Sequence, residues 1–137
     1  FSEKINLTGV KVLLAEDNEL NAEIAITILE EEGLKVEWAE DGIKCLEMLK
    51  KVPEDYYDMI LMDIQMPNMD GYRTTEEIRS LPDKRAQIPI VAMTANVFDE
   101  DKKKAYEAGM NGYIAKPIDT KAIFSTLGEI LQEKSEN

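Results

Sequence analysis

Five short apolar runs divide this chain, each broken off by a polar residue and followed by an amphipathic stretch. The first spans residues 10–15 and stops at Glu16-Asp17-Asn18; β-branched and aliphatic apart from Lys11, it reads as a buried strand. Leu20, Ile24, Ala25, Ile28 and Leu29 then recur at helical spacing, and Gly33 closes that helix. Residues 34–38 alternate with period two, as a half-exposed strand nearer an edge does. Asp41-Gly42 turns the chain, and Ile43, Leu46 and Leu49 mark a short helix ended by Pro53. Residues 59–62 form a continuous apolar run that ends at Asp63, before a loop of turn formers over 65–71. A helix is predicted over 72–81, a fourth strand over 88–93 ending at Thr94, and a helix over 99–108 ending at Gly109. Residues 113–115 make a fifth strand ending at Lys116, and Asp119 caps a last helix striped by Ile123, Phe124, Leu127, Ile130 and Leu131.

Strict alternation of strand and helix dictates an α/β fold. A parallel sheet is covered on both faces by helices, through right-handed crossovers. With five strands, the doubly wound, flavodoxin-like order 2-1-3-4-5 is expected. The chain has 137 residues and 15.5 kDa, one domain in size, and we expect it to occupy residues 10–131. Residues 1–9 read as a lead-in or linker, and 132–137 as a polar tail with no output domain after it.

Charge and two absences narrow the function. The net charge of −12 opposes binding to nucleic acid or to an anionic membrane surface. There is no histidine, which removes imidazole bases, Ser-His-Asp and Cys-His nucleophile systems and His-based zinc sites. Cys45 stands alone, so no intrachain disulfide can form. No apolar run approaches the ~20 residues of a membrane span. The start lacks the pattern of a signal peptide, and it opens on Phe1, as a processed chain or an excised piece would. A cytoplasmic domain is expected.

Sites in open α/β sheets form beyond the carboxyl ends of the strands. Those ends carry Glu16 and Asp17, then Asp63, then Thr94, then Lys116. Any one of them alone is more simply a helix cap, a turn former or a solvated surface group. Their joint placement at four strand ends is what points to chemistry. Three crowded carboxylates repel, and a hard divalent cation relieves them; an all-oxygen site partly filled by protein suits Mg²⁺. A carboxylate beside such a cation can take a phosphoryl group, with Lys116 neutralising the charge that develops and Thr94 bonding a phosphoryl oxygen. Neither glycine-rich nucleotide motif occurs.

These residues resemble the response-regulator receiver domains of two-component signalling. The resemblance rests on Val12-Leu13-Leu14-Ala15-Glu16-Asp17-Asn18, on residues 61–71 around Asp63, on Val91-Ala92-Met93-Thr94-Ala95-Asn96, and on Gly112-Tyr113-Ile114-Ala115-Lys116-Pro117. It covers residues 10–131, and the order 2-1-3-4-5 is partly its implication. It implies that Asp63 is the phosphoacceptor, and that Glu16, Asp17, Asp63 and the backbone carbonyl of Gln65 bind Mg²⁺. It also implies that Thr94 follows the phosphoryl group, that Ala95 leaves room for it, and that Lys116 pairs with Asp63. Tyr113 matches the family's switch aromatic, against the plainer reading of a strand aromatic packed on the last helix. Pro117 would follow a cis peptide bond. The wording is similar to the receivers at the carboxyl end of hybrid sensor histidine kinases, so the phosphodonor would be a sensor histidine kinase or a histidine phosphotransfer domain. Glu16 stands where many members have Asp.

Two other functions compete with this one. An aspartate-nucleophile phosphohydrolase of the haloacid dehalogenase type needs a second acid two residues after the first, and Gln65 stands there. A degenerate receiver used only for docking should have lost an acid, the threonine or the lysine; none is lost. The expectation is a phosphoaccepting switch and not a turnover enzyme.

Overall fold

In the computed structural model, which describes residues 7–95, 99–116 and 118–136, every apolar run becomes a strand. The elements are β1 Lys11–Ala15, α1 Glu19–Glu31, β2 Lys35–Ala39, α2 Gly42–Lys50, β3 Met59–Asp63, α3 Gly71–Arg79, β4 Ile90–Thr94, α4 Asp99–Ala108, β5 Gly112–Ala115 and α5 Thr120–Glu136. A single turn of 3-10 helix, Lys84–Gln87, precedes β4. The five strands pair in parallel in the order β2-β1-β3-β4-β5, the expected one.

Burial follows from that order. The central strand β3 is buried at every residue, whereas the edge strand β2 is exposed at Lys35, half-buried over the next three residues and buried only at Ala39. One core joins Leu14, Leu61 and Met93 to Ala22, Ala25 and Leu29 of α1 and to Ile123 and Leu127 of α5. On the opposite face, Leu13, Ile60, Met62 and Ile90 pack against Cys45, Leu49, Ile78 and Ala105 from α2, α3 and α4. Each side chain removed from water contributes roughly 1.5–3 kcal/mol if it is a large aliphatic, so two such layers hold the sheet from both sides.

Local caps start the helices where the strands end. Asn18 accepts from the Asn21 amide, Asp41 from Lys44 and Asp70 from Arg73. Gly33 and Gly109 end their helices with φ of 90° and 108°, a left-handed conformation that suits glycine.

Three expectations need correction. The buried face of α1 is Ala22, Ala25 and Leu29; Leu20 and Ile24 lie 64% and 46% exposed. In α2 the buried positions are Cys45 and Leu49, and Ile43 is exposed. The last helix runs through Glu136, across most of the segment read as a tail. Pro117, and Asn96, Val97 and Phe98 of the third motif, lie outside the described residues, and so does the expected cis bond.

Candidate functional site

The end of the strand ladder places the acids. Glu16 lies one residue beyond β1, and its amide still donates to the Ala39 carbonyl at 3.1 Å, extending the β1–β2 ladder by a step. Glu16 is 2% exposed and each oxygen of its carboxylate has a partner: Oε1 accepts from the Asn18 amide at 3.1 Å, and Oε2 from the Lys116 ammonium at 2.8 Å. Asp63 closes β3 and is 5% exposed. Its Oδ1 lies 3.1 Å from the same ammonium. Lys116, one residue beyond β5, thus reaches back across the sheet to bridge two buried acids.

Asp17 follows Glu16 and stands exposed at the mouth. Carboxylate oxygens of Glu16, Asp17 and Asp63 lie within 4.8 Å of one another. Together with Asn18, Asn21, Gln65, Thr94, Ala95 and Lys116 they line a cleft of about 260 Å³. The structure therefore gathers the predicted residues Glu16, Asp17, Asp63, Gln65, Thr94 and Lys116 around one space. A donor set made only of oxygens, carrying more negative charge than one ammonium cancels, fits a hard divalent cation such as Mg²⁺. Glu16, Asp17, Asp63 and the Gln65 carbonyl are the groups that would hold it.

The electrostatics record the crowding. Burial, and then the Glu16 charge, push the Asp63 carboxyl up to about 7, against the opposing pull of Lys116. Burial on its own would lower the Lys116 ammonium; its hydrogen bond to Glu16 and the charge of Asp63 outweigh that and hold it above its ordinary value.

The loop after Asp63 is held tightly. Gly71 opens α3 with its amide donating to the Ile64 carbonyl at 2.8 Å. A Cβ at Gly71 would meet the Asp63 carbonyl oxygen at 2.5 Å and the Ile64 Cα at 2.9 Å, so only glycine lets α3 approach the acid's own backbone. On the far side of Thr94 lies a second cavity of about 530 Å³, lined by Met66, Tyr72, Asp101 and Lys104 among others.

Tyr113 on β5 is half-buried and faces α4. Its ring meets that of Tyr106 edge-on at 6.4 Å, and the Lys102 ammonium stands 4.7 Å from its centroid. The expected alternative, packing on the last helix, is not what its ring contacts describe.

Sequence reasoning missed the bond between Lys116 and Glu16, 100 residues apart, and the indole of Trp38, which donates to the Glu16 carbonyl at 2.7 Å. Strand order carries a signal for the second: β2 lies beside β1, and Trp38 pairs in register with Leu14, two residues before Glu16.

Comparison with known proteins agrees with this geometry. A family model described as the response regulator receiver domain matches residues 12–128. Histidine protein kinase 1 of Candida albicans is 42% identical over 131 residues, which are 88% of this chain and 5% of that protein. The signal transduction histidine-protein kinase BarA of Shigella flexneri is 40% identical over 119 residues, 87% of this chain and 12% of that protein. The chain thus spans a small part of the kinases it matches. Among solved structures, the receiver domain of a Pseudomonas aeruginosa sensor histidine kinase, with a magnesium ion coordinated in its active site cleft, has a TM-score of 0.81 at 34% identity, covering 91% of this chain and 99% of that one. A Vibrio cholerae chemotaxis protein has a TM-score of 0.82 at 26% identity, covering 90% and 99%. Among the described residues, no helix is long and apolar enough to cross a membrane. A family match that runs from β1 into the last helix, over a parallel sheet whose strand ends gather three acids and a lysine, means that the chain belongs to the response regulator receiver family.

Proposed function

We propose that Asp63 accepts a phosphoryl group from a phosphohistidine on a sensor histidine kinase or a histidine phosphotransfer domain, and that the domain changes its binding surface in response. The observation that carries this is the shared ammonium: Lys116 lies between the buried carboxylates of Asp63 and Glu16, at the mouth of a cleft. In the transfer, an Asp63 carboxylate oxygen attacks phosphorus, the N–P bond of the donor breaks, and the imidazole leaves with the electron pair. The product is an acyl phosphate. Lys116 favours the ionised form of Asp63 and orients it, then faces the new phosphoryl oxygens. Mg²⁺ bound by Glu16, Asp17, Asp63 and the Gln65 carbonyl would supply charge neutralisation for the transferring group. Glu16, held by Asn18 and Lys116, keeps its place while the charge at Asp63 grows.

The donor must bring its imidazole to within bonding distance of a recessed acid. Leu20 and Ile24 stand exposed on α1, whose first turns also contribute Asn21 to the cleft. That apolar surface suits the rim of a docked partner.

The added charge of about −1.5 to −2 recruits the Thr94 hydroxyl by a charge-assisted hydrogen bond. Movement of Thr94 leaves room beside β5 for Tyr113. To turn inward, Tyr113 gives up the Tyr106 and Lys102 contacts, each worth about 0.5–1.5 kcal/mol, and a phosphoryl group that binds one state better can offset that loss. The surface of α4 and β5 changes with it. Transfer of labelled phosphate from a phosphorylated histidine phosphotransfer domain tests this reading. Label should reach the wild-type chain, and Asp63→Asn should take none; equal labelling of the variant overturns the assignment.

A further inference from the structure

We propose that Trp38, on the edge strand, is a positioning residue for the acidic pair Glu16-Asp17, acting through the peptide plane between them. The proposal rests on the reading that these acids hold a divalent cation. The ladders that fix β1 end before this point: its last partners are Ala39 on β2 and Met62 on β3, both opposite Ala15. One further bond, from the Glu16 amide to the Ala39 carbonyl, carries the pairing a step on. The Glu16 carbonyl lies past that step, and among the described residues outside the helices and strands no backbone amide donates to it. The Trp38 indole N–H reaches it from β2 at 2.7 Å.

This single bond has leverage because a peptide unit is planar. Fixing the Glu16 carbonyl toward β2 fixes the plane that leads into Asp17, and hence the direction in which the Asp17 carboxylate leaves the backbone. Glu16 has other restraints: its carboxylate is held by the Asn18 amide and by Lys116. Asp17 stands exposed at the cleft mouth with its carboxylate against that of Asp63, and the indole bond adds control of the peptide that leads into it. The carbonyl, directed to β2, is also kept out of the cleft, which leaves the side-chain oxygens to face the cation. The Trp38 ring packs on the α1-side core, so its donor is held in place. Outer partners that orient metal ligands in this way are commonly worth about 10–100-fold in affinity.

Trp38 is also the chain's one tryptophan, so its indole N–H gives one unambiguous NMR cross-peak. The experiment follows that peak and backbone amides during a Mg²⁺ titration of the wild-type chain. It then measures Mg²⁺ affinity for Trp38→Phe, which keeps an aromatic ring and loses the donor, and for Val36→Ala, which thins β2 packing and keeps the donor. We expect the indole peak to shift and saturate together with the Asp17 amide. We expect about 10-fold weaker binding in Trp38→Phe, at the low end of that range, and affinity within twofold of wild type in Val36→Ala. Wild-type binding with an unmoved indole peak overturns the proposal, as does a folded Trp38→Phe that binds like wild type. Equal weakening in both variants assigns Trp38 a packing role and overturns it too. A wild-type chain that takes up no Mg²⁺ overturns the metal reading and this proposal with it. Should Trp38→Phe fail to fold, the wild-type indole shift alone decides.

Discussion

Asp63 is a buried acid set beside another, and replacing it with asparagine should stabilise the fold when no divalent cation is present. The Asp63 carboxyl is pushed from 3.8 up to about 7 by burial and by Glu16. At about 1.36 kcal/mol per pKa unit, its ionisation in the folded state carries a cost of up to ~4 kcal/mol. Solvent in the open cleft screens the repulsion and reduces the gain in Asp63→Asn; the raised value already includes the pull of Lys116. A gain of about 2 kcal/mol remains. The sign with pH follows from linkage. A carboxyl whose folded pKa lies above its unfolded value destabilises the fold as pH rises from the unfolded pKa to the folded one. The advantage of the variant is therefore small near pH 4, grows between roughly pH 4 and pH 7, and is complete above that. Urea unfolding in EDTA at three pH values across this window measures it, with the slope checked for two-state behaviour. Adding Mg²⁺ should narrow the difference by stabilising wild type more than the variant. A variant less stable than wild type near pH 8 in EDTA, or an advantage that does not shrink toward pH 4, refutes the picture of a repelling acidic cleft.

Lys116→Met should act in the opposite direction, losing about 3 kcal/mol in EDTA, because Glu16 and Asp63 then lie buried without their counter-charge; Mg²⁺ should recover part of the loss, and urea midpoints report both. Glu37 accepts from the Tyr56 and Tyr57 hydroxyls at 2.6 and 2.7 Å, which hold its carboxyl below 4.5. That stabilisation is present above the unfolded pKa and is lost as pH falls through the lower folded one, so Glu37→Gln should flatten the decline of wild-type stability as pH falls below the ordinary glutamate value. In the complex with Mg²⁺ and beryllofluoride, a mimic of the acyl phosphate, NMR shifts should extend to Tyr113 and along α4; shifts confined to the loops around Asp63 would leave a passive phosphoacceptor.

The strand ends were legible because a buried strand in such a sheet must be apolar, and the first polar residue after it marks where the chain meets solvent. Glu16, Asp63, Thr94 and Lys116 were found by that rule alone. Helix faces were read less well, for one physical reason. Helical spacing on α1 picks out the buried Ala25 and Leu29, but it also takes in Leu20 and Ile24, which are exposed, and leaves out Ala22, which is buried. A small residue such as Ala22 permits close approach, and a pattern of large side chains misses it. On α2 the same pattern finds the buried Leu49 and misses Cys45, while Ile43 is exposed. Leu20 and Ile24 stay exposed on α1, the helix that also brings Asn21 to the cleft. Contacts far apart in sequence, Lys116 with Glu16 and Trp38 with the Glu16 carbonyl, follow from strand order and length together. No local pattern carries them.

The central claim is that Asp63 takes a phosphoryl group in a cleft that needs a divalent cation. Intact-mass spectrometry after incubation with acetyl phosphate and Mg²⁺, followed by borohydride trapping and peptide mapping, tests it most directly. One adduct of ~80 Da is expected, mapped to Asp63, absent in EDTA and absent from Asp63→Asn. An adduct at another residue, or one that forms equally in EDTA or in the variant, would contradict it.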